Sequence, residues 1–354
     1  MKKNIVVIEG DGIGPEVIKQ AIKALNSIGN RFNHEFSYQK VLAGAKAIET
    51  FGDPMPKETI ESCLKSDAVL FGSIGDPKYD SYPSGMRPED GLLKLRKEMN
   101  LYCNIRPIVT YPGINKSPLK KRKLEGVNFV IYRELTGGIY FGKKGRSKNG
   151  KEAYDYCVYS EKEIERIGEM SFKAARSRNR KMTLVDKANV LETSRLWREV
   201  IQKMALDYSD VDLEFLYIDN AAMQILINPR KFDVILTDNM FGDILSDEAS
   251  ILTSSLGLLP SASIGNKKSL FEPIHGSYPQ AKGKNIANPL GSILSVSMML
   301  EYFEMSQEKN LLEEAVKSSI QEKICTPDII ILDDRNFYST EEVGDYIEKY
   351  IKNH

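Results

Sequence analysis

Asp243 and Asp247 stand four residues apart in Thr237-Asp-Asn-Met-Phe-Gly-Asp-Ile-Leu-Ser-Asp-Glu-Ala-Ser250. On a helix that spacing stacks the two carboxylates on one face, where they repel unless something positive lies between them. Upstream, the strand-like run Glu214-Phe-Leu-Tyr-Ile218 ends at a further carboxylate, Asp219. Carboxylates gathered at element ends suit a hard, oxygen-seeking cation, Mg²⁺ or Mn²⁺. Arg96, Arg106 and Arg133 are each compatible with a surface ion pair, the usual fate of an arginine. Arg133 stands apart, because it closes the apolar run Phe129–Tyr132 just before Gly137-Gly138. Arginines in such places clamp carboxylates with two parallel hydrogen bonds. Lys187 closes another apolar run, Met182–Val185. It suits a salt bridge to Asp186 or a neighbour, or proton transfer beside a metal. Tyr140 reads by default as a packed aromatic.

Other chemistries are poorly supplied. The only histidines are His34, His275 and His354, which weighs against histidine-rich zinc sites and most Ser-His-Asp arrangements. Cys63, Cys103, Cys157 and Cys325 are scattered, with no CxxC pair, so neither a disulfide framework nor a zinc site is suggested and a reducing cytoplasm fits. Lys plus Arg and Asp plus Glu both total 49, leaving no net charge to draw the chain to nucleic acid or a membrane. The lysines between Lys116 and Lys123 read as a solvated loop. The first apolar run is too short for a signal peptide, and no uncharged run approaches the roughly 18 residues of a membrane span.

The elements that must position these residues alternate between strand-like and helical patterns, which predicts an α/β fold. At 354 residues, two domains are expected. Strand-like runs at Ile5–Ile8, Ala68–Phe71, Phe129–Tyr132, Met182–Val185 and Phe232–Leu236 deliver Arg133, Asp186-Lys187 and Asp238 to one rim, with Asp219 beside them. Ligands bind at such rims in open α/β sheets. Gly10-Asp-Gly-Ile-Gly14 is not GxGxxG, and Pro15 removes an anion-binding N–H, so a structural turn is favoured over a phosphate cradle. The stretch between Arg133 and Tyr159, rich in Gly, Lys, Tyr and Ser, suits an exposed hairpin or arm. The loop His275–Asn288 reads as surface, although Gly276 and Ser277 also suit close backbone approach to a nucleotide.

Taken together and in order, Gly10-Asp-Gly-Ile-Gly-Pro-Glu16, Arg133-Glu-Leu-Thr-Gly-Gly-Ile-Tyr-Phe141, Asp186-Lys-Ala-Asn-Val190 and Phe241-Gly-Asp-Ile-Leu-Ser-Asp247 resemble the β-decarboxylating dehydrogenases of the isocitrate/isopropylmalate type. The resemblance runs from Gly10 to beyond Asn288-Pro289. It implies a two-domain, non-Rossmann α/β fold with a discontinuous first domain. Residues 1–100 and 254–354 would form the cofactor-binding domain, and 101–253 the dimerisation and metal/substrate domain, with an arm near 140–158. It further implies a homodimer whose subunits share active sites: Lys187 and Asp219 come from the partner, Asp243 and Asp247 from the home subunit.

The implied reaction oxidises a 2-hydroxy acid with NAD and then removes CO₂, using Mg²⁺ or Mn²⁺ held by Asp219, Asp243 and Asp247. Lys187 is implied as the base and Tyr140 as the proton donor. Arg96, Arg106 and Arg133 hold the carboxylates, and Asp219 also lies against the substrate. Glu89, Leu92 and Leu93, with Val190, resemble the wall that receives an isopropyl group. That favours 3-isopropylmalate, in leucine biosynthesis, over isocitrate, tartrate or malate. A non-catalytic paralogue and a Mg²⁺-dependent phosphoryl-transfer enzyme are the rivals from other classes. His275, Gly276, Ser277, Gln280 and Asn288 fall in the implied cofactor loop. Relatives specific for NAD carry aspartate where this chain has Gln280, so NAD is expected to be preferred with weaker discrimination against NADP.

Overall fold

In the computed structural model, residues 1–114, 116–330 and 337–354 are described. The strands in chain order are β1 (Lys2–Gly10), β2 (Glu35–Lys40), β3 (Ala68–Ser73), β4 (Cys103–Val109), β5 (Asn128–Glu134), β6 (Lys144–Arg146), β7 (Ala153–Asp155), β8 (Lys181–Asp186), β9 (Asp212–Tyr217), β10 (Val234–Thr237), β11 (Pro260–Ile264) and β12 (Ser269–Pro273). The chain divides into two compact units. Met1–Asn100, Tyr111–Pro118 and Thr253–His354 form the first, and Leu101–Thr110 with Leu119–Leu252 form the second. Segment 111–118 thus groups with the chain ends, although it lies inside the range expected for the second domain.

In the first unit the strands run β2-β1-β3-β12-β11. All neighbours are parallel except β11 and β12, which are antiparallel. Ile5–Ile8 of β1 and the whole of β3 are buried. A parallel strand covered on both faces requires such a continuous apolar run, since alternation would bury polar groups. The helix Gly14–Phe32 starts with Pro15 in its first turn, where a missing N–H costs nothing. The helix Leu290–Tyr302 is buried almost all round, its serines included.

In the second unit the order is β4-β5-β10-β8-β9, parallel except for β4 against β5. The register sets Arg133 beside Thr237, Thr237 beside Val185, and Asp186 beside Tyr217. The strand ends therefore share one rim. Phe172, Leu184, Trp197 and Leu236 belong to the core that holds it. The helices Glu161–Ser177 and Glu192–Ala205 cover this core; Ser160 and Glu163 form a capping box at the start of the first. β6 and β7 pair as an antiparallel hairpin; Tyr154 within β7 is exposed, as are Tyr156 and Val158 just after it.

One element differs from expectation. Ile218 already begins the helix Ile218–Ile227, so Asp219 lies in a first helical turn rather than at a strand end. An acidic residue is favoured there by the helix dipole. No helix among the described residues is long and apolar enough to cross a membrane.

Candidate active site

The second unit brings Arg106, Arg133, Tyr140, Asp243 and Asp247 together. β4 and β5 are antiparallel with Asn104 opposite Arg133, so Asn104, Arg106 and Arg133 project on one face of the pair. The helix Asn239–Thr253 carries both aspartates. Arg133 donates from Nε (3.1 Å) and Nη2 (2.8 Å) to the Asn239 side-chain oxygen, and from Nη1 to Asp243. A side chain at Gly242 could not coexist with this arrangement: its Cβ would lie 2.7 Å from Arg133 Cγ. Arg106 donates from Nε to Asn104 (2.6 Å) and from Nη1 to Ser246. That same Nη1 lies 3.5 Å from Asp243 and 3.8 Å from Asp247.

Two buried arginines therefore face two carboxylates one helical turn apart. Burial raises the Asp247 carboxyl above its usual range and Asp243 adds to this, while Arg106 and Arg133 pull it back. The Tyr140 hydroxyl donates to Asp243 Oδ2 (3.1 Å), and its ring centroid lies 5.8 Å from the Arg133 guanidinium. Burial, followed by the charge of Asp243, pushes the Tyr140 phenol up, with Arg133 opposing. At neutral pH the phenol keeps its proton and can give it.

Lys187 and Asp219 form a separate pair, Nζ to Oδ1 at 2.5 Å, which holds Asp219 below the usual carboxylate range. Asp186 is bound instead by Arg198, through Nε (2.6 Å) and Nη2 (3.0 Å). Val190 closes the turn after Lys187 and is exposed. Among the described residues no three His, Cys, Asp or Glu side chains converge to hold a metal. Asp219 does not join Asp243 and Asp247 within one chain. The pair at 243 and 247 nonetheless offers the anionic oxygens that a hard cation takes, shared in this structure with Arg106 and Arg133.

In the first unit the helix Pro88–Glu98 aligns Glu89, Leu92, Leu93 and Arg96 along one face. Glu89 is exposed, the leucines are half-buried, and Arg96 is buried. Arg96 Nη2 is held by Glu272 of β12 at 2.8 Å. Beyond β12 the chain enters the His275 loop. A cavity of about 330 Å³ is lined there by Ile13, His275, Gly276, Tyr278, Ala287 and Asn288, among others. His275 Nδ1 lies 2.9 Å from the Gly276 carbonyl, which can only accept, so the proton sits on Nδ1 and Nε2 is an acceptor. Nε2 is buried and lacks a hydrogen-bond partner. Burial lowers the imidazole pKa, so the ring is neutral. An orphaned acceptor in a largely apolar cavity of this size fits the amino-bearing base of an adenine nucleotide.

Gly276 leaves open space where a Cβ would project. The Ser277 carbonyl accepts from Ile13 N–H (2.8 Å), and Gly12, at φ 58°, packs so closely that a Cβ would fall 1.9 Å from that oxygen. Gly10–Gly14 is thus a turn, as its residues suggested, and in the fold it braces the loop. Gln280 is exposed on the short turn Pro279–Ala281, followed by exposed Lys282 and Lys284. Asn288 donates to Asp328 (2.9 Å) and accepts from Leu290 N–H (2.9 Å).

Residues not singled out from the sequence also shape these sites: Asn104, Asn239, Ser246, Glu272 and Asp328. Asn104 lies two before Arg106 on a strand and Ser246 three after Asp243 on a helix, so periodicity alone could have found both. Asn239, Glu272 and Asp328 meet their partners only through the fold and carry no local signal.

A family profile described as isocitrate/isopropylmalate dehydrogenase matches residues 4–347. The 3-isopropylmalate dehydrogenase of Bacteroides fragilis is 47% identical over 354 residues, covering 99% of each chain. That of Wolinella succinogenes is 50% identical over 354 residues, 99% of this chain and 98% of its own. Among solved structures, an isocitrate dehydrogenase from Methylococcus capsulatus has a TM-score of 0.89 at 34% identity, covering 99% of both chains.

Proposed function

The chain belongs to the isocitrate/isopropylmalate dehydrogenase family, and from that premise we propose that it converts 3-isopropylmalate to 4-methyl-2-oxopentanoate and CO₂ in leucine biosynthesis. NAD accepts the hydride, and Mg²⁺ or Mn²⁺ is the metal. The observation that carries this reading is identity near one half, over almost the full length, to 3-isopropylmalate dehydrogenases. The helix Pro88–Glu98 agrees with it. Leu92 and Leu93 offer an apolar wall one turn before Arg96. A third carboxylate, as in isocitrate, would be desolvated against leucine at a cost of several kcal/mol.

Asp243 and Asp247, with Asp219 of the partner subunit, are the proposed metal ligands. When bound, the cation supplies Lewis-acid polarisation of the substrate hydroxyl, and NAD supplies the hydride acceptor. Arg96, Arg106 and Arg133 grip the two carboxylates and fix the C2–H bond for transfer. Lys187 of the partner subunit takes the C2 hydroxyl proton as the C2 hydride leaves. The C3–carboxylate bond then breaks, its electrons stay on the carbon skeleton, and Tyr140 delivers a proton to C3. Glu89 and Val190 complete the substrate wall.

A homodimer is supported by the second unit's surface. Met223 and Ile227 on one helix, and Ile244 on the helix of Asp243, are exposed apolar side chains that a second copy would cover. The adenosine of NAD enters the His275 cavity, with Gly276 and Asn288 in its walls, Ser277 holding the loop through the Ile13 N–H and Gln280 reaching the ribose. The cysteines are all free, in keeping with a cytoplasmic enzyme.

Oxidation of isocitrate is the second reading, favoured by the likeness to the Methylococcus capsulatus structure. Steady-state kcat/KM for isopropylmalate, isocitrate, tartrate and malate, with NAD or NADP and either metal, separates the two. Isopropylmalate with NAD is expected to lead. Isocitrate turnover of equal efficiency would overturn the assignment, and preference for NADP would overturn the cofactor.

A further inference from the structure

We infer that Asn239 is a positioning residue that holds the Arg133 guanidinium and the loop leading to Tyr140 in one fixed relation. The inference rests on the proposed roles of Arg133 and Tyr140. Asn239 is buried at the junction between β10 and the helix of the paired aspartates. The two ends of its carboxamide do different work. The oxygen accepts from Arg133 Nε (3.1 Å) and Nη2 (2.8 Å), and the nitrogen donates to the Gly137 carbonyl (3.1 Å).

A guanidinium only donates and a carbonyl only accepts, so the amide has one workable orientation; a flip would set donor against donor and acceptor against acceptor. The backbone of Asn239 is fixed as well. Its N–H donates to the Tyr159 hydroxyl (3.0 Å), and that ring packs edge-on against Trp197 at 5.4 Å between centroids. Tyr159 also wedges the Gly137-Gly138 turn, where a Cβ on Gly138 would fall 2.1 Å from its hydroxyl oxygen.

The contacts close into a ring. Asn239 holds Arg133, Arg133 donates to Asp243, Tyr140 donates to the other oxygen of Asp243 (3.1 Å), and the Gly137 turn leads back to Asn239. Through its oxygen Asn239 sets how the clamp meets the substrate carboxylate. Through its nitrogen it sets where the phenol stands when the proton is delivered. A displacement of about 1 Å at such a position can cost about 100-fold in rate.

The two ends can be separated by substitution. Asn239→Asp is nearly isosteric and keeps the acceptor for Arg133, but turns an oxygen against the Gly137 carbonyl. Its KM for isopropylmalate is expected to stay within about threefold of wild type while kcat falls about tenfold or more. Asn239→Ala removes both ends, so KM rises about tenfold or more and kcat falls as well. Titration calorimetry of isopropylmalate with Mg²⁺ and no NAD should follow the KM pattern, with Asn239→Asp binding like wild type. Stereospecific deuterium incorporation at C3 of the product in D₂O should be eroded in Asn239→Asp.

Unchanged constants in both folded variants, or parallel changes in KM and kcat in both, would overturn the role. If the alanine variant does not fold, Asn239→Asp decides alone, because a loosened site would not lower kcat while sparing KM and calorimetric affinity. Wild-type protein with no isopropylmalate turnover would sink the proposed reaction and this inference with it. A wild type that turns over with variants that show no split sinks the inference alone.

Discussion

Asp238 lies between β10 and the Asn239–Thr253 helix, buried, with Oδ1 accepting the Phe241 N–H at 2.8 Å. Burial is the main reason its carboxyl is pushed up from 3.8 to about 6; Phe241 N–H and Arg133 restrain the rise, while Glu134 and Asp186 add to it. The folded value lies above the unfolded one. The stability Asp238 contributes is therefore full at low pH and is lost as pH rises through about 6. Raising the carboxyl from 3.8 to about 6 corresponds to about 3 kcal/mol, of which about 2–3 kcal/mol falls between pH 4 and 8. The carboxamide introduced by Asp238→Asn could still accept from Phe241 but would carry no charge to desolvate. Urea unfolding of wild type and Asp238→Asn across this range should show the variant gaining about 2–3 kcal/mol on wild type as pH rises. Profiles that stay parallel within about 0.5 kcal/mol would refute the reasoning, because the buried charge would then be solvated or paired.

Asp243→Asn and Lys187→Ala should each be inactive alone. Mixed by reversible dissociation, they should recover about a quarter of wild-type activity, since half the dimers are hybrids with one intact site; no recovery in verified hybrids would exclude shared sites. Gln280→Asp should raise the NAD-to-NADP ratio of kcat/KM about tenfold, because like charges about 4 Å apart near a surface repel by about 1–4 kcal/mol. An unchanged ratio would remove residue 280 from the ribose site. Gly12→Ala forces a strained φ and a clash with Ser277, about 1–3 kcal/mol at the loop's brace. NADH affinity, read by fluorescence titration, should fall, and wild-type affinity would show that the brace does not shape the cofactor loop.

What the sequence made legible was local. The spacing of Asp243 and Asp247 fixed their stacking on one helix face, and the apolar runs of β1, β3, β5, β8 and β10 were plain because buried parallel strands are nearly all hydrophobic. Pro15 marked a helix start for a steric reason that needs no tertiary context. Asp219 slipped from strand end to first helical turn because Tyr-Ile-Asp supports either, and boundaries follow neighbours more than propensity. Asn239, Glu272 and Tyr159 were invisible in their roles. Glu272 meets Arg96 only because β12 enters beside β3, and Asn239 meets Arg133 only because β10 lies beside β5. Strand order is a long-range property, and no window of sequence contains it.

The strand order also sets a timetable for synthesis. β3 pairs with β12 through Val69 and Leu270, so the first unit joins strands about 200 residues apart, and the Gly12 turn, braced by Ser277, spans a still longer stretch of chain. At about 5–20 residues per second, a ribosome needs roughly 10–40 s between them. β4, β5, β8, β9 and β10 all precede Asp238, so the second unit can pair its strands within that interval. Meanwhile β3, wholly buried in the finished protein, presents a bare apolar edge of the kind that invites pairing with other chains. The first unit therefore carries an unpaired strand edge for longer during synthesis than the second, and it is the nascent chain rather than the finished enzyme that presents it.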